Sequence, residues 1–403
     1  MKGQRSRVEK TRLLWVCLLA LCLSTCHAPG SGPPQIERHP APLVWDRGVL
    51  EAWPAYDSDY VEPLQVDLRG YDLSSLDLSQ SLARLFQASY DSQTAWPPPD
   101  RLPPGYDPVR IMDLGKNPGL GLRQLHAQGI TGQGIGIAVV DAPLLVEHQE
   151  YTGRLRLYEE TDELGWRHAR MHGVAVSSFA VGETVGVAPA ADLYFVATTV
   201  GISEDFRYLA QAIRRILEVN EALPRNRRIR AIAVAVGWNQ DSLGYDEIRA
   251  AAEEARAARL LVVSSSIEEV HGFRFHGLGR QPLADPDASE SYEPGWWWAE
   301  SFYAGERFSD RLLIPMDSRT AASPTGSSDY AFFRQGGWSW AIPYLAGMYA
   351  LAAQVDPEIT PERFWALALE TGRTIEVNHE GRALPLGPIL DPAALIQALQ
   401  EGE

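Results

Sequence analysis

An aspartate, a histidine and a serine stand far apart in this 403-residue chain. They are Asp141 in GIGIAVVD, His172 in RMHGVAVSSFAVG and Ser339 in GGWSWAIPYLAG. A serine hydroxyl is a poor nucleophile at neutral pH. It needs a base to take its proton, and that base needs a carboxylate to hold its tautomer and stabilise its cation. Each residue alone has an ordinary structural use. An aspartate ending a strand makes a turn, a histidine opening a helix packs or faces solvent, and a serine between tryptophans starts a buried helix. Together they supply the three roles of nucleophilic acyl transfer.

These residues must be brought together by the elements that carry them. GIGIAVVD, DLYFVAT, RAIAVAV and LLVVSSS are short apolar runs, the pattern of strands buried on both faces of a parallel sheet. Helical patterns separate them: HGVAVSSFAVG, SEDFRYLAQAIRRILEVNEAL and YDEIRAAAEEARAAR. Alternation of this kind predicts an α/β fold, a doubly wound and mostly parallel sheet with helices on both faces and right-handed crossovers. Sites in such sheets gather at the carboxyl ends of strands, where Asp141 falls. His172 opens a helix, and Ser339 opens a late apolar one. The free N–H groups and dipole of that helix start favour a developing anion. Asn117-Pro118 has the cap-and-proline form of a helix start, ahead of LGLRQLHAQ. Three helices, WAIPYLAGMYALAAQV, TPERFWALALETG and DPAALIQALQ, are expected to close the chain.

With GQGIGIAVVDAPL, HGVAVSSFAVGETVGVAPAADLYFVAT and GWSWAIPYLAG in this order, the chain resembles the subtilisin-like serine peptidases, the subtilases, over residues 113 to 400. The resemblance implies a serine endopeptidase with Asp141 as the acid, His172 as the base and Ser339 as the nucleophile. It also implies that a peptide lies along AIAVAVGWNQD by strand addition. There Gly237 would admit the substrate backbone and Trp238 would narrow the adjoining pocket. No cofactor is required for this chemistry.

The chain departs from the family pattern near the expected chemistry. Ala142-Pro143 follow the acid, and Trp338 and Trp340 flank the serine, where they should reshape access to it. The family's Gly-Asn pair, whose Asn donates to the oxyanion, becomes Ile267-Glu268. Losing such a donor costs ~3–4 kcal/mol of transition-state stabilisation. A protonated Glu268 could donate, or the loop diverges and His271, His276 or a backbone N–H takes over. The insertion after it contains Trp296, Trp297 and Trp298, read either as a lid or as core packing. It also contains Asp285, Asp287 and Glu290, which lack a recognised Ca²⁺ spacing. Two other readings stay open: a peptide-binding protein on the same scaffold without turnover, and an esterase with GWSWA as a nucleophile elbow and His379 as base.

The formal net charge is -16 with no basic stripe, which argues against nucleic acid as a partner. Peptide or protein substrates and a monomeric chain are expected. Cys17, Cys22 and Cys26 are the three cysteines of the chain, so the region beyond them holds no disulfide framework. Lys2, Arg5, Arg7, Lys10 and Arg12 precede an apolar run from Leu13 to Ser24, the form of an export signal. Leu23-Ser24-Thr25-Cys26 resembles a lipobox, which would place a lipid on Cys26; cleavage after Ala28 is the alternative. The expected organisation is a signal and tether over 1–28, an irregular and propeptide-like N-terminal extension over 29–112, and the peptidase domain over 113–403. The location would be extracellular or in the cell envelope, with membrane contact only through the signal or lipid.

Overall fold

Four apolar runs and one edge strand pair as one parallel sheet in the order Leu155–Glu160, Asp192–Ala197, Gly136–Asp141, Ile229–Val234 and Leu261–Val263. This computed structural model describes residues 34–53, 66–161, 165–199, 205–306 and 308–402. The expected signal and tether, and Cys26 as candidate lipidation site, lie outside the described residues. Both faces of the sheet are covered. In the central strand Ile137 and Val139 face one apolar cluster, which also holds the helices Met171–Val181 and Trp338–Val355. Ala138 and Val140 face a second cluster with the helices Arg207–Ala222 and Tyr245–Ala257. The period of two along a strand feeds both layers from one run. The strand order turns at Gly136–Asp141, whose neighbours lead away to opposite edges. Asp141 therefore ends at the topological switch point of the sheet.

Several elements differ from expectation. Asn117 does not begin a helix; it ends the helix Pro108–Lys116, and its Oδ1 accepts the Gly119 N–H at 3.0 Å. The same Asp-Pro signal occurs one helix earlier. Asp107 caps Pro108–Lys116 by accepting from Arg110 N, and the next helix, Leu122–Ala127, starts from a left-handed Gly121. The edge strand Leu155–Glu160 reads LRLYEE, a polar alternation that hides it among loop sequence. A hairpin, Arg373–His379 with Arg382–Ile389, separates the last two closing helices and joins a second sheet with Phe275–Arg280, Leu312–Pro315 and Tyr292–Pro294.

The N-terminal extension is less irregular than its prolines suggest. Ala88–Asp91 pairs antiparallel with Tyr330–Phe333 and parallel with Val66–Asp67. The described residues from 34 onward belong to one compact unit, with no division near residue 112. Among the described residues, no helix is long and apolar enough to cross a membrane.

Candidate active site

Asp141 is fully buried at the end of its strand. Its Oδ1 accepts the Ala142 N–H at 2.7 Å, and its two oxygens lie 2.8 and 2.9 Å from His172 Nδ1. That contact places the Nδ1 proton between them and leaves Nε2 facing away as the free base position. Burial works against the His172 cation. The Asp141 charge and hydrogen bond oppose it and prevail, so the imidazole titrates above its ordinary 6.5.

His172 reaches Asp141 because Gly173 follows it. A Cβ at Gly173 would lie 2.0 Å from the Ala142 carbonyl oxygen and 3.2 Å from Phe195 Cζ. The helix start thus rests directly on the strand end, a contact only glycine allows.

Ser339 occupies the first turn of Trp338–Val355, behind an extended Gly337. First-turn N–H groups have no partner within the helix, so its N–H points outward with the helix dipole behind it. Pro343 lies four residues on and has no N–H to give the Ser339 carbonyl. The hydroxyl donates to the Ala235 carbonyl at 3.2 Å, just past the strand Ile229–Val234. Serine, histidine and aspartate thus lie at the carboxyl ends of two adjacent strands, with the serine turned toward the backbone.

The flanking tryptophans diverge. Trp340 does not narrow access; it is 5% exposed and packs 5.6 Å from the His172 ring, with Phe179 and Phe333 behind it. Residues two apart on a helix point about 200° apart, so Trp338 faces elsewhere. Trp338 is 39% exposed and leans on Phe275 and His276 at the rim.

Glu268 lies on the short helix Ile267–His271, exposed, with its carboxylate held by Arg274. That pairing removes it as an oxyanion donor. His271 accepts the Val262 N–H at 3.2 Å and stacks on Phe273, which stacks on Trp365. His276 is held at Nε2 by Arg311 at 2.8 Å. Burial, first of all, lowers both imidazoles to about 4, so both are neutral packing groups. The Ser339 N–H lies in the first turn of its helix, where it has no partner within the helix. Gly237 does sit in a close approach, its Cβ position 3.0 Å from Ser265 Cβ. Trp238, however, is 5% exposed inside the second apolar cluster and is no open pocket wall. Ser266 Oγ accepts its N–H and donates to its carbonyl, each at 2.8 Å, stitching the two strand ends together.

The insertion grips the loop ahead of Ser339, a role its sequence did not announce. Trp297 Nε1 donates to the Gly336 carbonyl at 2.6 Å, and Trp298 Nε1 donates to Gly277 O at 2.6 Å. Trp298 is core, while Trp297 stays 47% exposed over the loop. Asp317 joins the two segments, accepting Gly336 N–H at 2.7 Å and Trp296 N–H at 3.1 Å. Burial raises this carboxyl to about 6, against those hydrogen bonds and the Arg334 charge. Asp285, Asp287 and Glu290 are engaged in local hydrogen bonds. Asp287 accepts from Asn117 Nδ2 at 2.8 Å and Gly121 N at 3.0 Å, which ties the insertion to that turn. His379 stacks on Tyr303, with ring centroids 3.9 Å apart, in the hairpin of the second sheet.

No family model matches the chain. Among solved structures, a protease from Pseudoalteromonas arctica aligns at 17% identity with a TM-score of 0.51, covering 73% of this chain and 98% of its own. The prenylagaramide maturation protease PagA aligns at 17% identity with a TM-score of 0.48, covering 69% and 98%. The PatG macrocyclase, solved in complex with peptide, aligns at 16% identity with a TM-score of 0.45, covering 69% and 95%. At such identity the likeness is one of architecture.

Proposed function

The chain has a subtilisin-like fold, and on that premise we propose that it is a serine endopeptidase working through Asp141, His172 and Ser339. The observation that carries the reading is the bond of 2.8 Å from half-buried His172 to buried Asp141, with Ser339 opening an apolar helix at the end of the adjacent strand. In the reaction Ser339 turns from the Ala235 carbonyl toward His172 Nε2. Oγ attacks the scissile carbonyl as His172 takes its proton. The imidazolium, held by Asp141, then protonates the leaving amine, and an acyl-enzyme remains. Water deprotonated by His172 releases the acid product and frees the serine. The tetrahedral oxygen receives the Ser339 N–H and the positive end of the helix dipole.

With Glu268 bound to Arg274, the side-chain donor of the oxyanion site is missing. Turnover is then expected roughly 10²–10³-fold below that of an enzyme with both donors. That same gap supports a second reading, a peptide-binding protein that does not turn over. Hydrolysis of a fluorogenic peptide by the full-length chain and its Ser339→Ala variant separates the two. Activity abolished by the substitution supports the peptidase; peptide bound and recovered intact from both supports the binder. The basic-then-apolar N-terminus further supports export, with Cys26 as the candidate lipid site. Globomycin-sensitive processing in a bacterial host would test the lipid, since a simple signal peptide is insensitive to that inhibitor.

A further inference from the structure

A cavity of about 280 Å³ opens beside His172, and its walls come largely from outside the elements that carry the triad. Leu43 and Trp45 lie on the N-terminal extension, and Trp166 and Arg170 on the loop before the His172 helix; Met171 and Ala142 complete it. The extension reaches this place as a strap. Tyr158 N–H donates to Gln35 O, and Glu37 N–H donates to Tyr158 O, both at 3.0 Å, so the strap begins along the edge strand of the main sheet. Ala41 then exchanges hydrogen bonds with Arg167 O and Ala169 N–H, both at 2.9 Å. Leu43 N–H donates to Pro324 O at 2.8 Å, and Arg47 N–H to Gly70 O at 2.9 Å. Gly70, at φ 71°, exists for this contact, because a Cβ there would fall 2.1 Å from the Trp45 carbonyl oxygen. Side chains alternate along an extended strap. Val44 accordingly points out, 81% exposed, while Leu43 and Trp45 line the cavity, with Trp45 still 37% exposed at its edge.

The chemistry of the lining selects an occupant. Leu43, Trp45, Trp166 and Met171 present aliphatic, thioether and indole surface, suited to an aromatic or large aliphatic group. The Arg170 guanidinium lies 4.8 Å over the Trp166 ring and makes the rim cationic. Arg170 is the charged side chain among the lining residues described, and it would repel a lysine or arginine. The volume suits one side chain rather than a whole ligand, since small-molecule sites run from ~300 Å³ upward. Because His172 itself lines the cavity, that side chain belongs to a residue close to the bond being cut.

We infer that residues 35–47 are a built-in wall of the substrate cleft, and that the cavity they close is a specificity pocket for a large apolar or aromatic side chain flanking the scissile bond. The inference rests on the peptidase reading above.

The test uses full-length protein and internally quenched peptides with Phe, Ala or Lys scanned through the positions on either side of the bond. At one position kcat/KM for Phe should exceed that for Ala by roughly tenfold or more, the scale of a filled apolar pocket, with Lys below Ala. Trp45→Ala and Trp166→Ala should each bring the Phe-to-Ala ratio to within roughly threefold of unity, and Trp45→Phe should retain most of the preference. Thermal melts identify a variant that has unfolded, and the two tryptophans lie on separate segments, so one can stand in for the other. Calorimetric binding of the same peptides to Ser339→Ala reads the ratio without turnover. A chain that binds Phe peptides selectively through Trp45 yet never cleaves them overturns the peptidase and keeps the pocket. A chain that cleaves with a Phe-to-Ala ratio unmoved by either substitution overturns the pocket alone.

Discussion

Gly173→Ala is the smallest change that should separate His172 from Asp141. The added methyl would begin 2.0 Å from the Ala142 carbonyl oxygen, where Cβ atoms essentially never come within 3.0 Å. The obstructing atom is backbone, directly after Asp141, and cannot yield without moving the carboxylate as well. The helix start must therefore retreat by about 1 Å, and the 2.8 Å bond from His172 to Asp141 stretches beyond hydrogen-bond range. Misplacement of a reacting group on that scale costs about 10²-fold in rate. Two opposed effects set the stability. Alanine favours a helix over glycine by about 1 kcal/mol. Overpacking a full interior costs typically 1–3 kcal/mol, and a contact this short belongs at the upper end. The net is a loss of about 1–2 kcal/mol. Peptide hydrolysis gives kcat/KM, and urea unfolding gives the stability. A Gly173→Ala protein as active as the parent and more stable would refute the close-approach reasoning.

Two pH effects follow from the buried groups. General-base catalysis needs neutral His172, which titrates above 6.5 because the Asp141 charge and hydrogen bond outweigh burial. The acid limb of kcat/KM should have its midpoint above pH 6.5, and Asp141→Asn, leaving burial unopposed, should move the limb lower; an unmoved limb contradicts the assignment. The stability that the pair contributes is complete below the unfolded histidine value and is lost as pH rises through the higher folded one. Asp317 runs by the rule for a buried acid. Its carboxyl rises from 3.8 to about 6, so the folded chain holds the proton that the unfolded chain releases. Its contribution should therefore fall by up to about 3 kcal/mol as pH climbs from about 4 through 6, and then level off. Urea midpoints of the parent compared with Asp317→Asn should diverge over that window; a constant difference rules the effect out.

Much of the site lay in local pattern. Asp141, His172 and Ser339 each stand at the end or start of an element whose apolar period is unbroken, and tertiary packing only brings those ends together. Other features depend on contacts that sequence spacing does not encode. Asn117 suits the end of one helix as well as the start of another, and the Asp107-Pro108 start upstream decided between them. LRLYEE alternates like surface sequence because one side of an edge strand is less covered. Trp340 looked like an obstruction beside Ser339, yet the helical turn sends it into the core behind His172. Glu268 stands where the family pattern has its Asn, but its partner Arg274 lies past the end of the short helix, where alignment on a neighbouring motif does not look. The strap was least visible. Apart from the bond from Arg47 to Gly70, its hydrogen bonds join residues 35–43 to partners more than a hundred positions away, and a proline-rich extension carries no period that marks such pairing.

The central claim is that Ser339 is a nucleophile activated by His172. Incubating the folded, full-length protein with a fluorophosphonate across pH 4 to 9 and mapping the adduct by peptide mass spectrometry tests it most directly. A single phosphonylated serine at position 339, formed faster as pH rises through the His172 midpoint and strongly slowed in His172→Ala, is the expected result. Absence of an adduct across the whole pH range, or labelling at Ser339 that is indifferent to His172, would contradict it.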